Sequence, residues 1–238
     1  MMMSDQLEPA WALHTRNYRD TSLLVEFFGR ESGRFSGVVK GARGRRPRYR
    51  GNVQPFVPML VSSYGKHELK TIRALEFSQP VPDLGGQQLY MGIYVNELLY
   101  RLLGRFDAVP GLFDHYHKLL FQLALPEVAE KSLRVFELKL LAELGYGLSF
   151  EHDAESFEPV SPEIHYRFVP GQGFIAFQGV AESLQLFPGD HLLLIARGEM
   201  EREDVMLSAK RIVRSAMHEL LDGRPLNSRN LFKSIQSG

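Results

Sequence analysis

The first eighty residues carry apolar side chains in short blocks and alternations, with no 3.6-residue period among them. Trp11–Leu13 is a short block. Thr21–Phe28 (TSLLVEFF) is rich in strand formers and stops at Gly29. A GRESG turn then leads into Phe35–Lys40, so the two segments predict a hairpin. Pro55–Tyr64 is apolar on both faces, and its Pro58 suits only a strand edge or a bulge. After YGKH, Glu68–Phe77 makes a fifth strand. Five short strands predict a small closed barrel, with one long connection between the third and fourth.

The texture changes at Pro80, where PVPDLGG reads as a turn cluster. Residues 87–106 place Leu89, Ile93, Leu98, Leu99 and Leu102 near helical spacing, with breaks expected at Gly104 and Pro110. A second helix is predicted over Leu112–Leu123. A third opens at Pro126, with Glu127 and Glu130 at its positive end, and stops at Gly145. Residues 146–180 are irregular, with HYRFVPGQGFIAF as a small hairpin. Helix returns over 201–221, where Val205, Ala209, Ile212, Ala216 and Leu220 form one stripe. In GRPLNSRNLF (223–232) Gly223 ends that helix and Ser228 caps a last one over 228–235, docking through Leu231 and Phe232. The alternative use of that stretch is that Arg224 and Arg229 extend a basic surface. The pattern therefore predicts an α+β chain, with a barrel domain over 1–80 and a mostly helical domain over 81–238.

Charge sharpens this division. The 28 basic and 28 acidic residues cancel overall, yet residues 1–80 hold 13 basic and 7 acidic side chains. No acid occurs between Glu31 and Glu68, while KGARGRRPRYRG (40–51) packs one lysine and five arginines into the long connection of the barrel. Like charges at this density repel, and phosphates relieve that repulsion while releasing condensed counterions. Arginine forks pair bidentately with phosphate oxygens, and the interspersed glycines let the backbone follow an uneven partner. Tyr49 offers one aromatic ring for a base. A solvated, decorative loop is the bland alternative.

Other chemistry is sparse. No GxxxxGK[ST], GxGxxG, HExxH or GxSxG motif occurs. His115 and His117 are two apart on a predicted helix and point to different faces. His152 with Asp153 is too small a set for a metal site. With no cysteine, thiolate metal sites and disulfides are excluded. There is no run of ~18 apolar residues to span a membrane, and the MMMSDQLEPAW start has neither the basic nor the apolar region of a signal peptide. These features predict a cytoplasmic binding protein, not an enzyme, with no cofactor and no metal.

Five segments in order, SLLVEFFGRESGRFSGVVKGAR, QPFVPMLVSSYGKHELKTI, YVNELLYRLL, FELKLLAELGYGLSF and GRPLNSRNLF, resemble the RecO family of bacterial DNA repair proteins over nearly the whole chain. The resemblance implies an N-terminal OB-fold followed by a mostly helical domain. It implies binding of single- and double-stranded DNA, annealing of complementary strands, and contact with the C-terminal tail of single-stranded-DNA-binding protein (SSB). With RecR, such proteins help RecA replace that coat in the RecF pathway of recombination; they act as monomers at the nucleoid. Arg34, Lys40, Arg43, Arg45, Arg46, Arg48, Arg50, Lys66 and Lys70 are then the expected DNA contacts. SSB tails are acidic and end in an apolar residue, so Arg134, Lys210, Arg211 and Arg214 are candidates for the tail site. Many family members carry four zinc-binding cysteines after the GYG-type turn; here the matching stretches, SFEHDAESFEPV and PGQGFIAF, have none. An OB-type RNA-binding module is the alternative reading, and a nuclease is a third.

Overall fold

Inward-facing apolar residues from five strands close a barrel in the computed structural model, which describes residues 6–43, 49, 53–78, 80–179 and 185–228. The strands are β1 (Glu8–Tyr18), β2 (Ser22–Gly29), β3 (Gly33–Val39), β4 (Pro58–Tyr64) and β5 (Leu69–Phe77), in the closed order β1-β2-β3-β5-β4. All neighbours are antiparallel except β3 and β5, which pair in parallel from Ser36↔Leu69 to Val38↔Thr71. This is the OB-fold. Its core includes Ala12, Val25, Phe27, Phe35, Val39, Met59, Val61 and Ile72, with the Phe27 and Phe35 rings stacked at 5.2 Å. At Gly37 a Cβ would lie 2.6 Å from Ile72 Cδ1, so a side chain there would have to displace Ile72 in the core. Pro58 is the first residue of β4, a position where a missing N–H costs no internal ladder bond.

β1 is longer than its short apolar block predicts. It runs eleven residues because a bulge between Ala12 and His14 changes its phase, so that the polar HTRNY segment continues the strand. Trp11 and Leu13 are buried, and Trp11 meets α2 (Pro110–Leu123) with its ring 5.9 Å from that of Tyr116, edge-on at 88°. Pro110 does not interrupt a helix but occupies its first turn, where the absent N–H would have had no partner. α1 (Gly86–Leu102) is fixed to β1 by Asn96, whose Nδ2 donates to Leu13 O at 3.0 Å while its Oδ1 accepts from Tyr116 Oη at 2.6 Å. All three residues are buried.

Packing divides the chain into two units, one running to Pro126 and taking in the chain from Leu226, the other Glu127–Pro225. α1 and α2 thus pack with the barrel, although the composition changes at Pro80. In the first unit the Glu97 carboxylate accepts from the N–H groups of Asn227 (2.9 Å) and Ser228 (2.8 Å), and Leu226 is buried. The helix expected over 228–235 otherwise lies outside the described residues.

The second unit holds most of α3 (Pro126–Glu143), a sheet in the order β7-β6-β8, then α4 (Gly189–Arg197) and α5 (Glu203–Leu220). β6 (His165–Val169) and β7 (Gly173–Ala176) are the predicted hairpin; β8 (Leu186–Pro188) and α4 are additional to the elements read from sequence. Phe174 lies at the centre of its core, with Phe150 and Phe168 each at 5.1 Å. In the cysteine-free stretch after the GYG-type turn, the Asp153 carboxylate organises the loop. Its Oδ1 accepts from the N–H groups of Glu155 and Ser156, both at 2.8 Å, and its Oδ2 from that of Ala176 at 2.5 Å. No group of three or more His, Asp or Glu residues among the described residues is arranged to hold a metal ion.

Candidate nucleic-acid interface

Strand alternation decides which side chains the barrel presents. With Val25, Phe27, Phe35 and Val39 in the core, Ser22, Leu24, Glu26 and Phe28 of β2 and Arg34, Ser36 and Val38 of β3 lie on the outer face. The outer face of strands two and three is where OB-folds receive oligonucleotides, together with the β1–β2 and β4–β5 loops. Here α1 and α2 cover one end of that face. Phe28 is buried against Phe113 and Tyr116, and Arg34 lies under Tyr100 with its Nε donating to Leu103 O at 2.9 Å. At the other end, β1 turns into β2 and β3 ends beside Lys40 and Arg43.

Lys40 is exposed just beyond β3, followed by Gly41 with φ +67°. Arg43 is tied to the β1–β2 turn twice, through its N–H to Thr21 O at 2.9 Å and its Nη2 to Asp20 O at 3.0 Å. Arg16, near the end of β1, and Arg19, in that turn, are exposed, the latter with its guanidinium 5.2 Å from the Tyr18 ring centroid. Neither arginine is among the residues expected from sequence, although HTRNYRD already shows them as a local basic pair. Arg45, Arg46, Arg48 and Arg50 lie outside the described residues. Tyr49 is half-buried against the barrel core, so the ring expected to meet a base is occupied.

Along β3 toward its start, the expected cations differ in exposure. Lys66 is exposed in the β4–β5 loop. Arg34 and Lys70 look alike in the sequence but are engaged inside the protein. Arg34 pairs with Glu26 at 3.3 Å, and Glu26 also accepts from the Ser36 hydroxyl. Lys70 is buried, donates to Gly65 O at 2.9 Å and sits 4.8 Å from the Phe106 ring centroid. Their charges stabilise the barrel end and are not free to pair with phosphates.

The second unit sorts its expected cations in the same way. Arg134 is buried, with Nη1 2.7 Å from the Glu137 carboxylate, so it cannot rim an open pocket. Lys210 pairs with Glu130 at 3.0 Å. Arg211 and Arg214 are exposed on α5, and Leu207, 43% exposed, precedes Arg211 by one turn.

Two family models match the chain in succession. The one described as Recombination protein O N terminal spans residues 3–81, and that described as Recombination protein O C terminal spans 85–230. The chain belongs to the RecO family. Curated relatives agree over nearly their full length. DNA repair protein RecO of Psychromonas ingrahamii is 39% identical over 230 residues, covering 97% of this chain and 99% of the relative. Those of Vibrio cholerae and Yersinia pestis are 41% and 42% identical over 232 residues, each covering 97% of this chain and 95% of the relative. The family boundary falls where the composition changes, between 81 and 85, while the packing of this RecO-family chain keeps α1 and α2 with the barrel. No helix among its described residues is long and apolar enough to cross a membrane.

Proposed function

We propose that this chain is a recombination mediator that works by binding and not by catalysis. It binds single- and double-stranded DNA, anneals complementary strands, and with RecR helps load RecA onto DNA coated by SSB, acting as a monomer in the cytoplasm at the nucleoid. The observation that supports this reading is the position of Lys40 and Arg43, the described cations of the basic stretch, just beyond β3. Arg43 is tied there to the β1–β2 turn, which exposes Arg19, and the end of β1 exposes Arg16. Phosphate contacts there come from Lys40, Arg43, Arg45, Arg46, Arg48 and Arg50, with Lys66 at the far end of the strands. For the acidic SSB tail, Arg211 and Arg214, one and two turns along α5 from Leu207, offer cations on the helix that exposes an apolar residue, the chemistry such a tail needs.

Salt dependence tests the DNA surface. Four to six phosphate contacts on a single strand predict that log K falls with log salt at a slope of about −3 to −4. Changing Arg43, Arg45, Arg46 and Arg48 together to alanine should flatten that slope by about 3 while leaving the unfolding midpoint nearly unchanged. A folded quadruple variant that keeps the parent slope contradicts the assignment. Competition by RNA of equal sequence at equal potency would favour the RNA-binding alternative.

A further inference from the structure

Phe106 combines three features that a purely structural residue does not need. Its backbone is in the left-handed region, with φ +57°, where a bulky side chain is strained. Its ring is 38% exposed. A buried cation, Lys70, sits 4.8 Å from the ring centroid and is itself held by Gly65 O. Asparagine or glycine would relieve the backbone, and an exposed polar residue would not present an apolar ring to water. Strain and exposure together are tolerated where a ring is held in place for a partner.

Tyr100 repeats the arrangement. Its ring is 45% exposed, and the Arg34 guanidinium lies 5.3 Å from its centroid. Both residues meet Arg34: its guanidinium lies by the Tyr100 ring, and its backbone O accepts from the Phe106 N–H at 2.9 Å. Lys66, in the loop that joins β4 to β5, adds an exposed cation at this end of the barrel. A cation against one face of a ring draws on its π density and leaves the other face better suited to an electron-rich base. Aromatic rings beside cations on an OB barrel are the apparatus by which such folds stack bases of a single strand.

We propose that Phe106 and Tyr100 form a base-stacking subsite for single-stranded nucleic acid at the β4–β5 end of the barrel, with Lys70 and Arg34 as fixed cations beneath the rings. This rests on the reading of the chain as a nucleic-acid binder and adds base contact to a surface otherwise made of phosphate contacts. It also gives Lys70 and Arg34 an indirect part, through the rings they support.

The test uses the full chain with an oligo(dT) probe and an oligonucleotide of the same length made of abasic residues. The unaltered chain should prefer oligo(dT). Phe106→Asn, which the left-handed backbone accepts, should keep the unfolding midpoint, lower oligo(dT) affinity roughly fivefold to 150-fold, and erase the preference. The salt slope should hold, since no phosphate contact is lost, and Phe106→Trp should restore binding. Wild-type preference in a folded Phe106→Asn variant overturns the subsite. Equal binding of both probes by the unaltered chain also overturns it while leaving the phosphate surface standing; binding of neither defeats both readings. If Phe106→Asn spares oligonucleotides but loses an acidic peptide ending in phenylalanine, the ring serves a protein partner and the proposal fails.

Discussion

Replacing Asp153 with asparagine isolates what holds the cysteine-free loop together. The side chain is 4% exposed, and its two oxygens accept three backbone N–H groups that bring residues 153–156 against β7. Asparagine keeps the shape but turns one oxygen into a donor, which would face the Ala176 N–H. Losing that charge-assisted bond costs about 2 kcal/mol, and reducing the other two to neutral bonds costs about 0.5 kcal/mol each, for a total of about 3 kcal/mol. At 2–4 °C per kcal/mol for a chain of this size, the melting temperature should drop by about 6–12 °C. Burial pushes the Asp153 carboxyl up, but the N–H groups of Ser156, Ala176 and Glu155 more than reverse that and hold it below the ordinary aspartate value. A depressed native value means that the stabilisation is complete above the unfolded value near ~3.9 and is lost as pH falls through the native one. Urea midpoints of the two proteins should therefore differ most near neutral pH and converge on acidification. A chelator should move neither midpoint, because the bracing comes from backbone N–H groups on a carboxylate. A fall of less than about 1 °C, or a gap that widens toward acid, would refute the assignment.

Two further expectations concern the first unit. Asn96→Leu should cost about 3 kcal/mol by stranding Tyr116 Oη and Leu13 O, and Tyr116→Phe about 1–2 kcal/mol, while the double variant should cost clearly less than their sum; additive urea-unfolding energies would show that the two bonds are independent. Gly33→Ala should cost ~3 kcal/mol or more, since φ is +66° and a Cβ would meet Asp107 O at 2.1 Å; an unchanged thermal midpoint would contradict the close approach of β3 to the segment after α1.

Much of the architecture was legible where one local rule sufficed. β2, β3, β4 and β5 follow from alternation bounded by glycine and proline, and α5 from its stripe of Val205, Ala209, Ile212 and Ala216. β1 was misjudged because a bulge reverses its phase and its outer residues pack on α2. α4 is nine residues with a four-residue apolar run, too short to show a period; Pro188 before it and Gly198 after it, at φ +74°, were its available signals. The site was legible as charge but not as exposure. Arg34, Lys70 and Arg134 resemble any other cation in the sequence, and only residues distant along the chain, such as Leu103 and Tyr100, turn Arg34 inward. Conversely, the β1–β2 turn gains its place beside Arg43 through pairing that the sequence does not display.

The proposed function requires this RecO-family chain to act on protein-coated DNA and not only on bare strands. Annealing of complementary strands, each coated with single-stranded-DNA-binding protein, tests it most directly, read as the rate of duplex formation with and without the chain. The account predicts acceleration that is lost in the variant with Arg43, Arg45, Arg46 and Arg48 changed to alanine. Annealing of bare strands alone, with coated strands stalled as they are without the chain, would contradict it.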